Sequence, residues 1–324
     1  MPLPTIKSLR HLKPPVLPSR EPSPDQLELL EQPTQPRGFR IERAAPIKGF
    51  EQAKQTTGIE WTNATWNPMV GCSIHTAGCT NCYAMKQAAV ITAAHYEGVV
   101  KWVKKGNEQT TVWTGRINQA PPHILNKPRT IGKPSMIFVN SMSDFFHADM
   151  KYEWQRAAMQ VMKDTPRHVY QILTKRPENI MKFVEQWGDE FPRNVWVGAT
   201  MERYDYTHRI DSLRAVPAFV KFLSIEPLVD HPGTLNLEGI QWVIIGGESG
   251  PNSRPMKLEW VQSAIKQSVD QGVATFFKQW GIKENNPLWQ KGGDKLLKEL
   301  DPIGKGGSTV DGLIWKQFPD KYEF

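Results

Sequence analysis

The chain's three cysteines all fall between Cys72 and Cys82. The segment reads Gly71-Cys72-Ser73-Ile74-His75-Thr76-Ala77-Gly78-Cys79-Thr80-Asn81-Cys82-Tyr83, which is C-x6-C-x2-C. Counting alone excludes a disulfide framework spread through the fold. One short loop instead presents three thiolates. A cubane iron–sulfur cluster needs a ligand on each iron, so three cysteines leave one iron open to a small molecule. Gly71 and Gly78 would let the backbone turn around such a bulky group. A structural zinc is the other metal reading, with His75 completing a Cys3His set as C-x2-H-x3-C-x2-C. Such a zinc usually joins two separated knuckles, whereas these residues share one loop. Three unligated thiols are the remaining reading, and outside the zinc reading His75 is a loop residue beside the site.

Other chemistry-bearing residues recur at the ends of apolar runs. Asn140, Ser141 and Asp144 follow one run, and Thr174, Lys175 and Arg176 follow the next. Thr200 with Glu202, Ser224 with Glu226, Glu248 with Ser249, and Lys278 with Gln279 take the corresponding places further on. Asp144 and His147 stand three apart in SMSDFFH, a spacing that suits an acid/base or polar binding pair. An Asp opening a helix would look the same. Lys175 joins these two as a candidate catalytic residue. Lys175 and Arg176 suit a carboxylate or a substrate phosphate, and equally a surface basic pair. Trp61 and Trp66 could stack on a substrate base or pack in the core. Tyr83, next to the last cysteine, could shield a cluster.

The elements that must position these residues are legible from periodicity. Strands are expected at 135–142, 169–175, 195–201, 219–227, 242–249 and 274–280, with a short one near 64–70. Amphipathic helices are expected near 151–163, 178–187, 204–215 and 257–271, another near 83–101, and a non-helical connection at 227–242. Alternating strands and helices predict an α/β fold, a partial or closed TIM-type β/α barrel of about six to eight units. Its polar strand ends would converge on one face. The barrel is expected over 51–281, followed by an extension at 282–324 packing on it.

Residues 1–50 are rich in proline and in basic or polar residues, as a disordered extension would be. No run is long enough to cross a bilayer and no secretory signal opens the chain. A soluble, cytoplasmic protein is expected. The net charge of +7 and a pI near 9.2 fit a polyanionic partner, nucleic acid or nucleotide, or simply a basic surface.

The stretch TGIEWTNATWNPMVGCSIHTAGCTNCYA, with FVNSMSDFFH, ILTKRPENI, VWVGATMER, FLSIEPL and IIGGESGPNSRPM, resembles an uncharacterised family of bacteriophage and prophage proteins. Its members look like divergent radical S-adenosylmethionine proteins, although the usual spacing of the first two cysteines is three residues, not six. The resemblance implies a [4Fe-4S] cluster on Cys72, Cys79 and Cys82, and S-adenosylmethionine as cofactor. It implies reductive cleavage of that cofactor to a 5′-deoxyadenosyl radical, with the electron drawn from a donor such as a flavodoxin or ferredoxin. Gly246-Gly247-Glu248 resembles the element that contacts the methionine amino group in that superfamily, and a strand-ending glycine turn reads equally well. With it, Glu226, Asn140 and Ser141 become candidate cofactor-binding residues, and Arg176, Trp61 and Trp66 candidate substrate-binding ones. The implied setting is nucleic-acid modification or repair inside a phage-bearing host. A noncatalytic nucleic-acid-binding protein stabilised by zinc or a cluster is the alternative.

Overall fold

The structure is a computed structural model and describes residues 49–319 apart from 107, 251 and 303. The chain divides into two units, Met1–Arg40 and Ile41–Phe324, and the fold belongs to the second. The extension expected over 1–50 lies outside the described residues except for its last two positions.

Strand β1 (Ala64–Trp66) is followed by β2 (Met69–Val70), β3 (Val100–Lys105), β4 (Glu108–Trp113) and β5 (Asn118–Gln119). Then come β6 (Met136–Val139), β7 (Val169–Thr174), β8 (Val195–Thr200), β9 (Lys221–Ile225), β10 (Trp242–Gly246) and β11 (Ala274–Gln279). A last pair, β12 (Thr309–Val310) and β13 (Leu313–Ile314), follows near the end. Seven of these strands form one parallel sheet in the order β1-β6-β7-β8-β9-β10-β11. Most are rich in β-branched and aromatic residues and buried on both faces, as parallel strands are.

Side-chain alternation divides the core in two. Ile137, Ile172, Val197, Leu223, Val243 and Phe277 face the crossover helices. Those helices are α4 (Tyr152–Asp164), α5 (Ile180–Trp187), α6 (His208–Arg214) and α7 (Leu258–Asp270), numbered after α1 (Tyr83–Ala88), α2 (Pro122–Leu125) and α3 (Lys127–Thr130). Helix α4 buries Ala158, Met159, Val161 and Met162 along one stripe, and α5 stops at Gly188, whose left-handed φ of 73° caps it. On the other face Phe138, Trp196, Phe222, Trp242 and Phe276 fill the concave side of the sheet. Each fully buried side chain of this size contributes about 1.5–3 kcal/mol.

The TIM-type barrel expected from the sequence does not form. Among the described residues β1 and β11 do not pair, and the sheet is an open half-barrel. Nor is there a ring of helices, because the 67–135 connection carries a cysteine loop, a β3–β4 ribbon and two one-turn helices in place of one crossover helix. The β9–β10 connection has no helix, as its composition indicates. Two physical facts account for the open edge. Strand β1 is three residues long, and the outer edge of β11 is taken by the C-terminal segment. Phe277 N donates to Trp315 O at 2.8 Å and Gln317 N to Thr275 O at 3.0 Å, while Phe318 packs against Trp242. Lys316 Nζ reaches across to Glu60 Oε2 at 2.6 Å, just ahead of β1. The expected helix at 83–101 is also shorter, ending at Ala88. Past it come a turn at 89–90 and a single 3-10 turn, Ala94–Tyr96; Gly98 then takes a left-handed φ of 71°, and the β-branched VVKWV that follows starts β3. The C-terminal extension also holds a helix that its periodicity does not announce, α8 (Pro287–Leu300), broken at Gly293.

Candidate functional site

The parallel strands run so that their carboxyl ends meet at one edge, and the cysteine loop lies over it. Three strand-end carboxylates fasten the loop. After β6, Asp144 pairs with Arg176 at 2.8 Å and accepts from Thr174 Oγ1 at 2.6 Å, Phe146 N at 3.0 Å and Lys175 N at 3.2 Å. Arg176 then donates to Ser73 O at 3.2 Å and Ser73 Oγ at 2.9 Å, with its other terminal nitrogen 3.9 Å from Cys72 Sγ. Past β8, fully buried Glu202 accepts from Thr76 Oγ1 at 2.7 Å, pairs with Lys175, and has the Arg209 guanidinium 3.7 Å from its other oxygen. Past β10, Glu248 is gripped by Arg254, whose Nη2 lies at 2.6 Å and Nε at 3.0 Å. Asn81 donates to Glu248 Oε2 at 3.0 Å, and Arg254 also reaches Ala77 O at 3.0 Å. Burial pushes the Glu248 carboxyl up, and the Arg254 and Asn81 hydrogen bonds outweigh it, so its pKa sits below the usual value.

His147 belongs to the first of these fastenings. Its Nδ1 accepts from Asp149 N at 3.1 Å, which assigns the proton to Nε2, 2.7 Å from Ser73 Oγ. Burial, aided by the Arg176 charge, lowers its pKa and keeps the ring neutral. Asp144 and His147 are thus brought together as the spacing indicated, but they face the loop's Ser73 and Arg176. Arg176 is buried with its donors engaged, which leaves no fork for a phosphate. Asp144 opens a turn and not a helix.

The glycines have structural reasons. A Cβ on Gly78 would meet Glu202 Oε1 at 2.3 Å, and one on Gly247 would meet Trp280 O at 2.1 Å. Gly78 admits the Glu202 anchor, and Gly247 lets the ends of β10 and β11 close on one another. Gly246 is less crowded, its Cβ position lying 3.3 Å from Glu226 Cδ. Trp61 and Trp66 are core residues, each 3% exposed. Trp61 packs edge-on against Phe138 and Trp242, and Trp66 lies against Tyr170 with Nε1 donating to Ile124 O at 2.8 Å. Neither offers a face to a base.

A smaller set of polar residues stands at or near the carboxyl ends of the strands without anchoring the loop. Glu226 and Lys278 pair at 2.5 Å, at the ends of β9 and β11. Tyr83 donates to Ser141 O at 3.2 Å, and Ser141 Oγ donates to Asn67 Oδ1 at 3.1 Å. The Tyr83 hydroxyl is raised above the usual phenol range by burial first, then by charge on Cys82 and Glu226, although its side chain is 49% exposed. Asn140 holds a left-handed φ of 63°, tolerable for Asn. Both its amide atoms are buried without a hydrogen-bond partner among the described residues. A buried unpaired polar group costs about 1–3 kcal/mol.

The thiols themselves are partly desolvated. Burial, with the nearby Asp144 charge, pushes Cys72 up to about 12, and burial raises Cys82. Among the described residues no three His, Cys, Asp or Glu side chains are gathered as a metal-ion site. The three thiols nonetheless belong to one loop, 72–82. As a donor set, three thiols beside a guanidinium suit an iron–sulfur cluster. His75 is exposed. Glu202, the most enclosed of the anchors, was visible in sequence only as one more polar residue at a strand end; Arg254 and Asn81 carried no signal.

An open, singly wound parallel sheet with a three-cysteine loop fastened over its carboxyl edge defines the class of protein. Residues 56–319 match the family described as "protein of unknown function (DUF5131)", and the chain belongs to that family. No curated protein and no solved structure matches the chain. No helix among the described residues is long and apolar enough to cross a membrane.

Proposed function

We propose that Cys72, Cys79 and Cys82 hold a [4Fe-4S] cluster and that the chain is a radical S-adenosylmethionine enzyme acting on a nucleic acid or nucleotide. One observation carries this: every cysteine of the chain lies in a single loop held over the carboxyl edge of a parallel half-barrel, beside Glu226, Lys278, Tyr83 and Asn140. When bound, the cluster would supply the electron that cleaves the cofactor's carbon–sulfur bond.

The chain's own residues do the rest. Arg176 and Lys175 place positive charge near Cys72 and Cys82, favouring the thiolate that a metal requires. Glu226 and Lys278, of opposite sign and side by side, suit the ammonium and carboxylate of an amino-acid moiety. Asn140 offers a free donor and acceptor to a polar ligand. Tyr83 and the apolar concave face below limit the entry of water. The three carboxylate anchors keep the loop at a fixed height above the strand ends.

The test is anaerobic reconstitution with iron and sulfide, followed by electron paramagnetic resonance of the reduced protein with and without S-adenosylmethionine. A [4Fe-4S] signal that changes on adding the cofactor, and is lost in Cys79→Ala, is the expected result. Stoichiometric zinc in place of iron, or a cluster indifferent to the cofactor, overturns the enzyme and leaves the metal-stabilised nucleic-acid-binding alternative.

A further inference from the structure

The ribbon formed by β3 and β4 is a two-stranded antiparallel sheet that pairs with no other strand among the described residues. Its root is fixed to the cysteine loop. Trp113 and Val99 share a small core with Ala84, Met85 and Ala88 of α1, the helix that starts directly after Cys82. Gly115 N donates to Cys72 O at 3.1 Å, and a Cβ on Gly71 would meet Arg116 O at 2.1 Å. So both ends of the loop meet the base of the ribbon.

Further out, the same ribbon face changes character. Val100 opposes Trp113, then Trp102 opposes Thr111, then Lys104 opposes Gln109. Trp102 is 61% exposed, the most exposed aromatic side chain among the described residues. It has no ring or hydrogen-bond partner among them, whereas Trp154, Trp260 and Trp289 each lie under a lysine. Lys104, two residues on along the same face, is exposed and forms no ion pair among the described residues, whereas Lys101 points to the opposite face. A bare indole beside an unpaired cation gains nothing for stability from its exposure.

We infer that the face of the β3–β4 ribbon that carries Trp102 and Lys104 is a binding surface for single-stranded nucleic acid, with a base stacked on Trp102 and a phosphate on Lys104. Stacking is sequence-tolerant because every base has a π face, and it requires a base already free of its duplex. Lys104 meets the backbone. A strand held there lies on the ribbon whose base packs on the cysteine loop. The surface does not depend on a cluster, so it goes beyond the proposed activity while indicating its substrate class.

The experiment is fluorescence anisotropy of a labelled oligothymidylate titrated with the full chain over a salt series, repeated with the same oligonucleotide in duplex. The single strand is expected to bind more tightly than the duplex. Trp102→Ala should weaken binding about tenfold. K104E should weaken it and flatten the log–log salt slope by about 0.7, one phosphate being no longer neutralised. Circular dichroism checks that both variants keep the wild-type fold. Equal affinity of wild type and variants, or no binding by wild type, overturns the inference. So does a self-associating chain whose dimer is dissolved by Trp102→Ala, since the face then serves another protein. Because the titration is read with or without iron, failure of the cluster experiment leaves it unaffected.

Discussion

Arg176 links Asp144, Ser73 and Cys72, and it is the buried hinge between sheet and loop. Removing one partner of a buried ion pair leaves the other charge stranded, at a cost of about 3–5 kcal/mol. Arg176→Ala should lower the free energy of unfolding by about that amount, read from urea denaturation of the metal-free protein. Arg176→Lys keeps the charge but lacks the fork that reaches Asp144 and Ser73 together, and should fall between. Adding Asp144→Asn to Arg176→Ala should recover part of the loss, because no unpaired charge then remains. A loss below about 1 kcal/mol in Arg176→Ala would mean that the pair is solvated and that the loop is held by its other anchors. From the sequence, Lys175 and Arg176 read as a catalytic and a substrate-binding candidate or as a surface basic pair, and not as anchors of the cysteine loop. Which donor goes to which acceptor was not readable, because the partners come from separate elements: Thr76 and Glu202 are 126 positions apart, and Asn81 and Glu248 are 167 apart.

At the scale of elements, the strands and crossover helices were legible because each is a local pattern of buried positions, and six apolar runs became six neighbouring strands. Closure was not legible. It depends on what meets β1 and β11, and the answer lies in Lys316, which donates to Glu60 from 256 positions away. The Gly246-Gly247-Glu248 element read equally as a cofactor contact or a strand-ending turn, and the packing of Gly247 on Trp280 supports the turn. Gly247→Ala should therefore destabilise the protein by about 1–3 kcal/mol, as overpacking does, by prising the end of β10 from β11 and Glu248 from Arg254. Gly132 is the control: it has open space around it and no left-handed backbone, so Gly132→Ala should be neutral or stabilise by up to about 1 kcal/mol. Thermal melts of the two variants side by side read the difference. Equal melting temperatures would show that the β10–β11 end can relax and that Gly247 is free for another role.

For the molecule as a whole, acid should act through histidines before carboxylates. His75, His95, His147 and His168 all have pKa values lowered from 6.5, burial being the largest cause in each. His168 is the cleanest case. It is fully buried beneath α3, its Nε2 lies 3.1 Å from Pro128 O, and its Nδ1 has no partner among the described residues, so a second proton would be buried on Nδ1 with nothing to accept it. The sign follows from proton counting. Below the ordinary value the unfolded chain takes up protons that the folded chain refuses, so stability is present above about pH 6.5 and is lost as pH falls through the lower folded values. Glu248, lowered from 4.5, adds a loss of the same sign only in stronger acid. The urea midpoint should accordingly drop between about pH 7.5 and about pH 5.5, in a range where ordinary carboxylates remain ionised. His168→Gln removes a titrating ring while keeping an amide that can reach Pro128 O. It should start less stable, through imperfect packing, yet show a shallower fall across the same range. A fall as steep as that of the wild type would assign the acid sensitivity elsewhere, to the histidines around the cysteine loop or to repulsion within a chain whose net charge of +7 grows as the pH drops.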